Sequence, residues 1–143
     1  MSFSGESYNS IDAKGRVVIP IKLREQLKDG FVITNGLDQC AFILPRKDYD
    51  NIESKLTAMS ITNGKARKMQ RFFLGSKIDG EFDSQGRVSL SQRLRDYAGL
   101  QKEVVVAGVG SRIEIWDKKS YEEHIKAFSE DPEFMEGIEE IEL

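Results

Sequence analysis

The chain has 143 residues, of which 31% are charged and 9% aromatic, and its formal net charge is −3 at pH 7. This length predicts one domain or two very small ones, with enough chain to build a core without cross-links. The single cysteine, Cys40, excludes an internal disulfide, and no apolar run reaches the roughly 18 residues of a membrane span. Because the N-terminus also lacks a basic stretch followed by an apolar one, a cytoplasmic location is expected.

The charge is distributed unevenly along the chain. Residues 64–102 carry nine basic and four acidic side chains, a net charge of +5. Residues 117–143 carry three basic and ten acidic side chains, a net charge of −7. Local fields decide partner choice more than the total charge does, so the body of the chain remains open to an anionic partner.

The sequence contains an internal repeat. A shift of 71 residues superposes "IDAKGRVVIP" on "FDSQGRVSLS", and a shift of 72 superposes later positions. The matched pairs are Asp12/Asp83, Gly15/Gly86, Arg16/Arg87, Val17/Val88, Leu23/Leu94, Arg24/Arg95, Gly36/Gly108, Ile43/Ile115 and Tyr49/Tyr121. We interpret this as two copies of a unit of roughly 45 residues joined by a helical linker.

Each repeat is predicted to open with a β-hairpin. "SYNSI" and "RVVIP" are the two strands of the first, and "KIDGEF" and "RVSLS" are those of the second. Asp12 and Asp83 occupy the first turn position, where a carboxylate can accept from the backbone two residues on. Gly15 and Gly86 occupy the fourth, where the positive φ that closes the turn suits glycine.

A short helix is predicted to follow each hairpin. Pro20 suits the start of the first and Gly30 its end, while Ser91 and Gly99 do the same for the second. The strands "FVIT" and "AFIL" follow in the first repeat, and "VVVA" and "IEIW" in the second. Each repeat then ends in an amphipathic helix, the second capped by Asp117.

Two segments lie outside the repeats. "GKARKMQRFFLG" predicts a linker helix with Ala66, Met69 and Phe73 on one face and basic residues on the remaining faces. The ordinary interpretation is a helix that packs on the core and exposes its basic side chains to solvent. The acidic stretch "SEDPEFMEGIEEIEL" predicts a mobile tail or a final helix.

The residues argue against an enzyme. His124 is the only histidine and lies on a predicted exposed helix, and Cys40 lies beside an apolar strand, where a buried core residue is expected. The sequence has no metal-ligand spacing, no phosphate-binding loop and no dinucleotide-binding glycine motif, so no catalytic residue, metal or cofactor is predicted.

Arg16 and Arg87 have no turn-forming role of their own and leave two interpretations open. In the first, each arginine pairs with its neighbouring aspartate and locks the turn. In the second, the hairpin presents the arginine to DNA, as two-stranded ribbons do in the major groove. Further cations surround the two hairpins, at Lys14, Lys22 and Arg24 for the first and at Arg93 and Arg95 for the second, where Gln85 replaces Lys14.

These motifs carry a resemblance. "IDAKGRVVIPIKLREQL" resembles the AbrB-type DNA-binding module, a swapped-hairpin fold. Two such modules together with "NGLDQCAFIL", "ARKMQRFFLG", "FDSQGRVSLSQRLRDYAGL" and "GSRIEIWDKKSYEE" resemble the MraZ family over about residues 3–128.

The resemblance implies a fold and a function. The expected fold is mainly β with short helices (α+β), with two pseudo-two-fold-related AbrB-like swapped-hairpin β-barrel modules in one chain. The expected domains are a first module at 5–50, a helical linker at 51–75, a second module at 76–121, and a terminal helix with an acidic tail at 122–143. The expected protein is a ring-forming, nucleoid-associated regulator that binds DNA repeats upstream of its own division and cell-wall operon.

The resemblance also implies site residues. The family's Asp-x-x-x-Arg signature falls on Asp12 with Arg16 and on Asp83 with Arg87. The DNA-contacting arginines of the AbrB module map to Arg16, Arg24, Arg87 and Arg95, with Lys14 as an addition. The expected partners are therefore double-stranded DNA and other copies of the chain, with no membrane and no small-molecule substrate. The alternative is an antitoxin-like interaction module that binds a partner protein through the acidic tail.

Overall fold

The computed structural model describes residues 2–142 and divides them into short strands and helices. The strands are β1 Phe3–Ser10, β2 Arg16–Val18, β3 Phe31–Asn35, β4 Ala41–Pro45, β5 Ile78–Asp79, β6 Arg87–Ser89, β7 Glu103–Gly110 and β8 Ile113–Asp117. The helices are α1 Ile21–Glu25, α2 Arg46–Thr57, α3 Gly64–Phe73, α4 Gln92–Tyr97, α5 Lys118–Lys126 and α6 Pro132–Glu140, with a 3-10 turn at Ala127–Glu130.

The two repeats exchange their first strands. A six-stranded antiparallel sheet runs in the order β1-β7-β8-β4-β3-β5, so the first strand of each repeat pairs with the third strand of the other. Strands β2 and β6 form a separate two-stranded antiparallel ribbon. This palindromic order confirms the expected mainly antiparallel α+β fold. Among the described residues no ladder joins the edge strands β1 and β5, so strand pairing alone does not close a barrel.

The local hairpin prediction was wrong in its strand pairing. The strands that flank each turn are linked only at its base, by Asp12 N–H to Arg16 O (3.1 Å) and Asp83 N–H to Arg87 O (3.0 Å). Beyond that point each strand pairs with the other repeat. The physical reason is burial: Val17 and Val88 are wholly buried, and pairing β2 with β6 places both beneath the ribbon.

The predicted strand "KIDGEF" is also shorter than expected. Only Ile78 and Asp79 pair with β3, although Gly80 N–H still donates to Phe31 O at 3.0 Å. Beyond Gly80 the chain turns inward, because Phe82 packs its ring against that of Phe31 at a centroid distance of 4.7 Å.

The core lies on both faces of the six-stranded sheet. One cluster fills the space between the sheet, the ribbon and helices α1 and α4, with Leu23 and Leu94 as the helical contributions. The other lies beneath α2 and α5 and includes Tyr49, Tyr121 and Trp116, the last two with ring centroids 5.6 Å apart. Because side chains alternate along each β-strand, the sheet supplies apolar residues to both core layers. The ribbon packs on the first of these layers.

The predicted helix boundaries are confirmed in part. Helix α4 ends beside Gly99 (φ 62°), as predicted. The predicted end of the first short helix was wrong: α1 ends at Glu25, and residues 26–29 form turns before Gly30 (φ 106°). Ser91 Oγ accepts from Leu94 N–H at 3.2 Å, and the Asp117 carboxylate accepts from Ser120 N–H at 3.3 Å. The acidic tail contains helix α6, whose Phe134 stacks on Phe128 of the 3-10 turn at 5.0 Å.

The linker helix α3 is attached to the sheet by its inward face and its C-terminal end. Ala66 is buried, and the carbonyls of Phe72 and Phe73 accept hydrogen bonds from the side chains of Asn35 (3.2 Å) and Thr34 (3.0 Å). Its basic side chains, Lys65, Arg67, Lys68 and Arg71, are all exposed, as the core-packed interpretation predicted. Met69, which was predicted on the packed face, is exposed as well. Within residues 2–142 no helix has the length and apolar character needed to cross a bilayer.

Candidate functional site

Each of the two Asp-x-x-x-Arg turns is organised around its aspartate. Asp12 Oδ1 accepts from the backbone N–H groups of Lys14 and Arg16, both at 2.9 Å. Asp83 Oδ1 accepts in the same way from Gln85 and Arg87, again at 2.9 Å. Gly15 and Gly86 complete the turns with φ values of 77° and 74°, which only glycine adopts without strain. The two turns therefore share one backbone geometry.

The second carboxylate oxygen of each aspartate holds an arginine. Arg16 Nε donates to Asp12 Oδ2 at 2.6 Å, and Arg87 Nε donates to Asp83 Oδ2 at 2.7 Å. Arg87 Nη1 also lies 3.7 Å from Asp12 Oδ2, so this arginine bridges the two repeats. The structure thus shows both arginines oriented by aspartates, with Arg87 held by two carboxylates and Arg16 by one among the described ion pairs.

The turn hydrogen bonds lower the pKa values of both aspartates. The backbone N–H of Arg87 is the main cause of the fall in the pKa of Asp83, which drops from 3.8 to about 2. The backbone N–H of Arg16 lowers the pKa of Asp12 in the same way. Both carboxylates are therefore ionised at neutral pH. The stability that the lowered pKa of Asp83 supplies is lost as the pH falls from about 4 towards 2.

Strand exchange brings one further arginine from each repeat to the turn of the other. The Arg24 guanidinium occupies the space where a Cβ on Gly86 would lie, and the Arg95 guanidinium does the same at Gly15. The Nε atoms of Arg24 and Arg95 are buried and make no hydrogen bond within residues 2–142. Each turn is thus flanked by an arginine that is distant in sequence from it.

The remaining predicted cations are Lys14, Lys22 and Arg93. Lys14 and Lys22 are exposed, and Gln85 occupies the position equivalent to Lys14. Arg93 is exposed as well and donates through Nη1 to Gly75 O at 3.0 Å. The first turn therefore carries one more cation than the second.

The ribbon gives this site a defined outer face. Its register pairs Arg16 with Ser89 and Val18 with Arg87, while Val17 and Val88 point into the core. Because side chains alternate along a strand, these four residues lie on one face. Sequence reasoning missed Val18, Ser89 and the contact between Asp12 and Arg87. Only the repeat shift, which superposes Val18 on Ser89, offered a signal for the first two.

The fold and the site together define a class of protein. Two repeats in one chain exchange strands about a pseudo-two-fold axis, and they present paired, aspartate-oriented arginines on the outer face of a two-stranded ribbon. This is the tandem swapped-hairpin architecture, in which both halves of a symmetric surface come from one polypeptide.

Comparison with known proteins places the chain within this class. The family model described as "MraZ protein, putative antitoxin-like" matches residues 2–72 and again 73–139. The chain is similar to the "Transcriptional regulator MraZ" of Lactobacillus delbrueckii subsp. bulgaricus, with 44% identity over 142 residues and 99% of each chain. It is 47% identical over 119 residues to the protein of that name from Halothermothrix orenii, covering 83% of each chain. It is 48% identical over 117 residues to the one from Carboxydothermus hydrogenoformans, covering 82% of each.

The chain belongs to the MraZ family. The family resemblance inferred from the repeated motifs is therefore confirmed. The names of these relatives also confirm the prediction of a transcriptional regulator, which is not an enzyme.

Proposed function

We propose that this protein is a transcriptional regulator that reads double-stranded DNA with the outer face of the β2–β6 ribbon. The observation that carries the proposal is the pair of arginines, Arg16 and Arg87, which aspartates orient on that face. Arg16 is held at Nε and keeps its two terminal nitrogens for another acceptor, whereas Arg87 also contacts Asp12 through Nη1 and keeps Nη2. The planar guanidinium fork matches a phosphate or the major-groove edge of guanine.

The dimensions and symmetry of the ribbon favour duplex DNA. The major groove, about 12 Å wide, admits a two-stranded antiparallel ribbon. The pseudo-two-fold axis would relate two half-sites, one read from residues 5–50 and one from residues 76–121. Arg24 and Arg95 flank the turns, while the exposed cations Lys14, Lys22 and Arg93 would contact phosphates.

The proposed targets are the DNA repeats upstream of the protein's own division and cell-wall operon. Support comes from the family membership and from the name that the relatives share. This target places the protein in the cytoplasm, in association with the nucleoid. A single ribbon offers few cations, so repeated DNA boxes that engage several copies together would raise the affinity without new contacts.

A fluorescence-anisotropy titration tests the DNA proposal. The probes are a duplex from upstream of the protein's own gene and a scrambled duplex of the same composition, across a salt series. We expect the upstream duplex to bind more tightly and its affinity to fall as salt rises, because phosphate contacts release counterions. Equal affinity for the two duplexes at every salt concentration would contradict the proposal.

We further propose that copies of the chain assemble head to tail into a ring, with α3 of one copy against α6 of the next. The exposed basic face of α3 lies beside apolar side chains that are also exposed, Met69 and Ile61 among them. Helix α6 and the residue after it expose Met135 and Ile141 among glutamates, which complements the basic and apolar surface of α3. The helix packs mainly against the 3-10 turn, so this surface is uncovered among the described residues. Opposite charges on different surfaces favour a heterologous contact, which forms a ring when the rotation between successive copies closes.

Charge reversal provides the test of this assembly. Replacing Lys65, Lys68 and Arg71 with glutamate should yield smaller particles in light scattering, because like charges then face each other. Replacing Glu133, Glu136, Glu139 and Glu140 with lysine should do the same. Mixing the two variants should restore assemblies in which the variants alternate, because one contact then joins two reversed surfaces and the next joins two native ones. An unchanged particle size in both variants would place the contact elsewhere. The antitoxin-like alternative has its own test: it is favoured if deletion of the tail spares assembly but abolishes binding of a protein partner.

A further inference from the structure

The ribbon that carries the arginines also presents one apolar side chain to solvent. Val18 is 39% exposed, whereas its chain neighbours Val17 and Ile19 are wholly buried. Isolated exposed apolar residues are common on protein surfaces and need no explanation. Val18 differs in its position, because it lies on the outer face of the ribbon, directly across from Arg87.

The two repeats differ at this position. The shift of 71 residues that superposes Arg16 on Arg87 superposes Val18 on Ser89, and both lie on the same face. The first half of the ribbon therefore ends in an isopropyl group and the second in a hydroxyl. The backbone around the two positions is equivalent, so the difference is one of surface chemistry alone.

We propose that Val18 is a specificity-determining residue that packs against the C5-methyl group of a thymine in the major groove. This inference rests on the proposed reading of DNA by the ribbon. That methyl is the one apolar group that base pairs present there. An arginine two residues away, Arg16, supplies the polar contact on the same strand. Ser89 presents a hydroxyl in the second half-site, which accommodates either base.

One consequence is an asymmetric site. A pseudo-symmetric protein with identical arginines would read both half-sites alike. With Val18 on one side and Ser89 on the other, only one half-site should require thymine at the equivalent position. A single chain can therefore set its direction along the duplex, which an ideal two-fold dimer cannot do.

Uracil substitution isolates the methyl group. The probe is a duplex selected by the wild-type protein from a randomised pool, and each thymine in turn is replaced by uracil, which keeps base pairing and O4. We expect one thymine in one half-site to matter, with affinity falling about fourfold, the factor that burying one methyl-sized apolar group contributes. The Val18→Ser variant should bind the thymine and uracil duplexes equally, while Ser89→Val should acquire a thymine preference in the other half-site.

The possible outcomes distinguish a failure of the Val18 inference from a failure of the proposed DNA binding. A wild-type protein that binds its selected duplex but tolerates uracil at every position would overturn the role of Val18 and leave DNA reading intact. A Val18→Ser variant that keeps the wild-type uracil profile would do the same. A pool that yields no enriched duplex would overturn DNA reading and this inference with it. Thermal unfolding of both variants provides the fold control, since both positions are exposed.

Discussion

Replacing Arg16 with alanine should lower the affinity for the upstream duplex by roughly 10- to 100-fold, the loss typical of a well-placed arginine contact with a base. The fold should survive, because the lost ion pair with Asp12 is partly exposed and such pairs stabilise proteins little. Anisotropy measures the affinity, and thermal unfolding with light scattering shows whether the chain still folds and assembles.

Arg87→Ala is the matched control for this prediction. Its guanidinium is held by Asp83 and Asp12 together, whereas Arg16 has only Asp12 among the described ion pairs, and Gln85 stands where the first turn has Lys14. We therefore expect a smaller loss of affinity from Arg87→Ala than from Arg16→Ala. Arg16→Lys keeps the positive charge but lacks the planar guanidinium fork, so it should recover only the salt-dependent part of the DNA affinity. If Arg16→Ala loses assembly together with binding, Arg16 is a structural lock and the DNA contacts lie elsewhere.

Gly86→Ala should destabilise the fold and weaken DNA binding together. At φ 74° a Cβ is strained, which costs about 1–2 kcal/mol, and here it would also collide with the Arg24 guanidinium. That guanidinium is the far end of a flexible side chain, so it should move away rather than break the turn. Its displacement should remove Arg24 from the DNA-facing surface.

Gly99→Ala separates the two effects. Gly99 has a similar φ of 62°, but a Cβ there would meet nothing within 4 Å. Denaturant unfolding should therefore show a loss of free energy of unfolding from the strained backbone alone, and DNA affinity should remain at the wild-type value. Equal DNA affinity for Gly86→Ala and Gly99→Ala would mean that Arg24 plays no part in binding.

The sequence by itself determined the features that depend on short-range chemistry. Helix ends followed from Ser91, Asp117 and Gly99, because caps and positive φ values act over three or four residues. The shape of each turn followed in the same way from an aspartate and a glycine three positions apart. The repeat itself was visible because identical local requirements recur at a constant offset.

Only the tertiary structure decided which strands pair and which cations converge. Local patterns could not distinguish a hairpin closed on itself from one exchanged with the other repeat, because both satisfy the same turn hydrogen bonds. The choice depends on burying Val17 and Val88 beneath one ribbon, which involves residues 71 positions apart. That exchange carries Arg24 to Gly86, Arg95 to Gly15 and Arg87 to Asp12, so the composition of the site is a consequence of long-range packing.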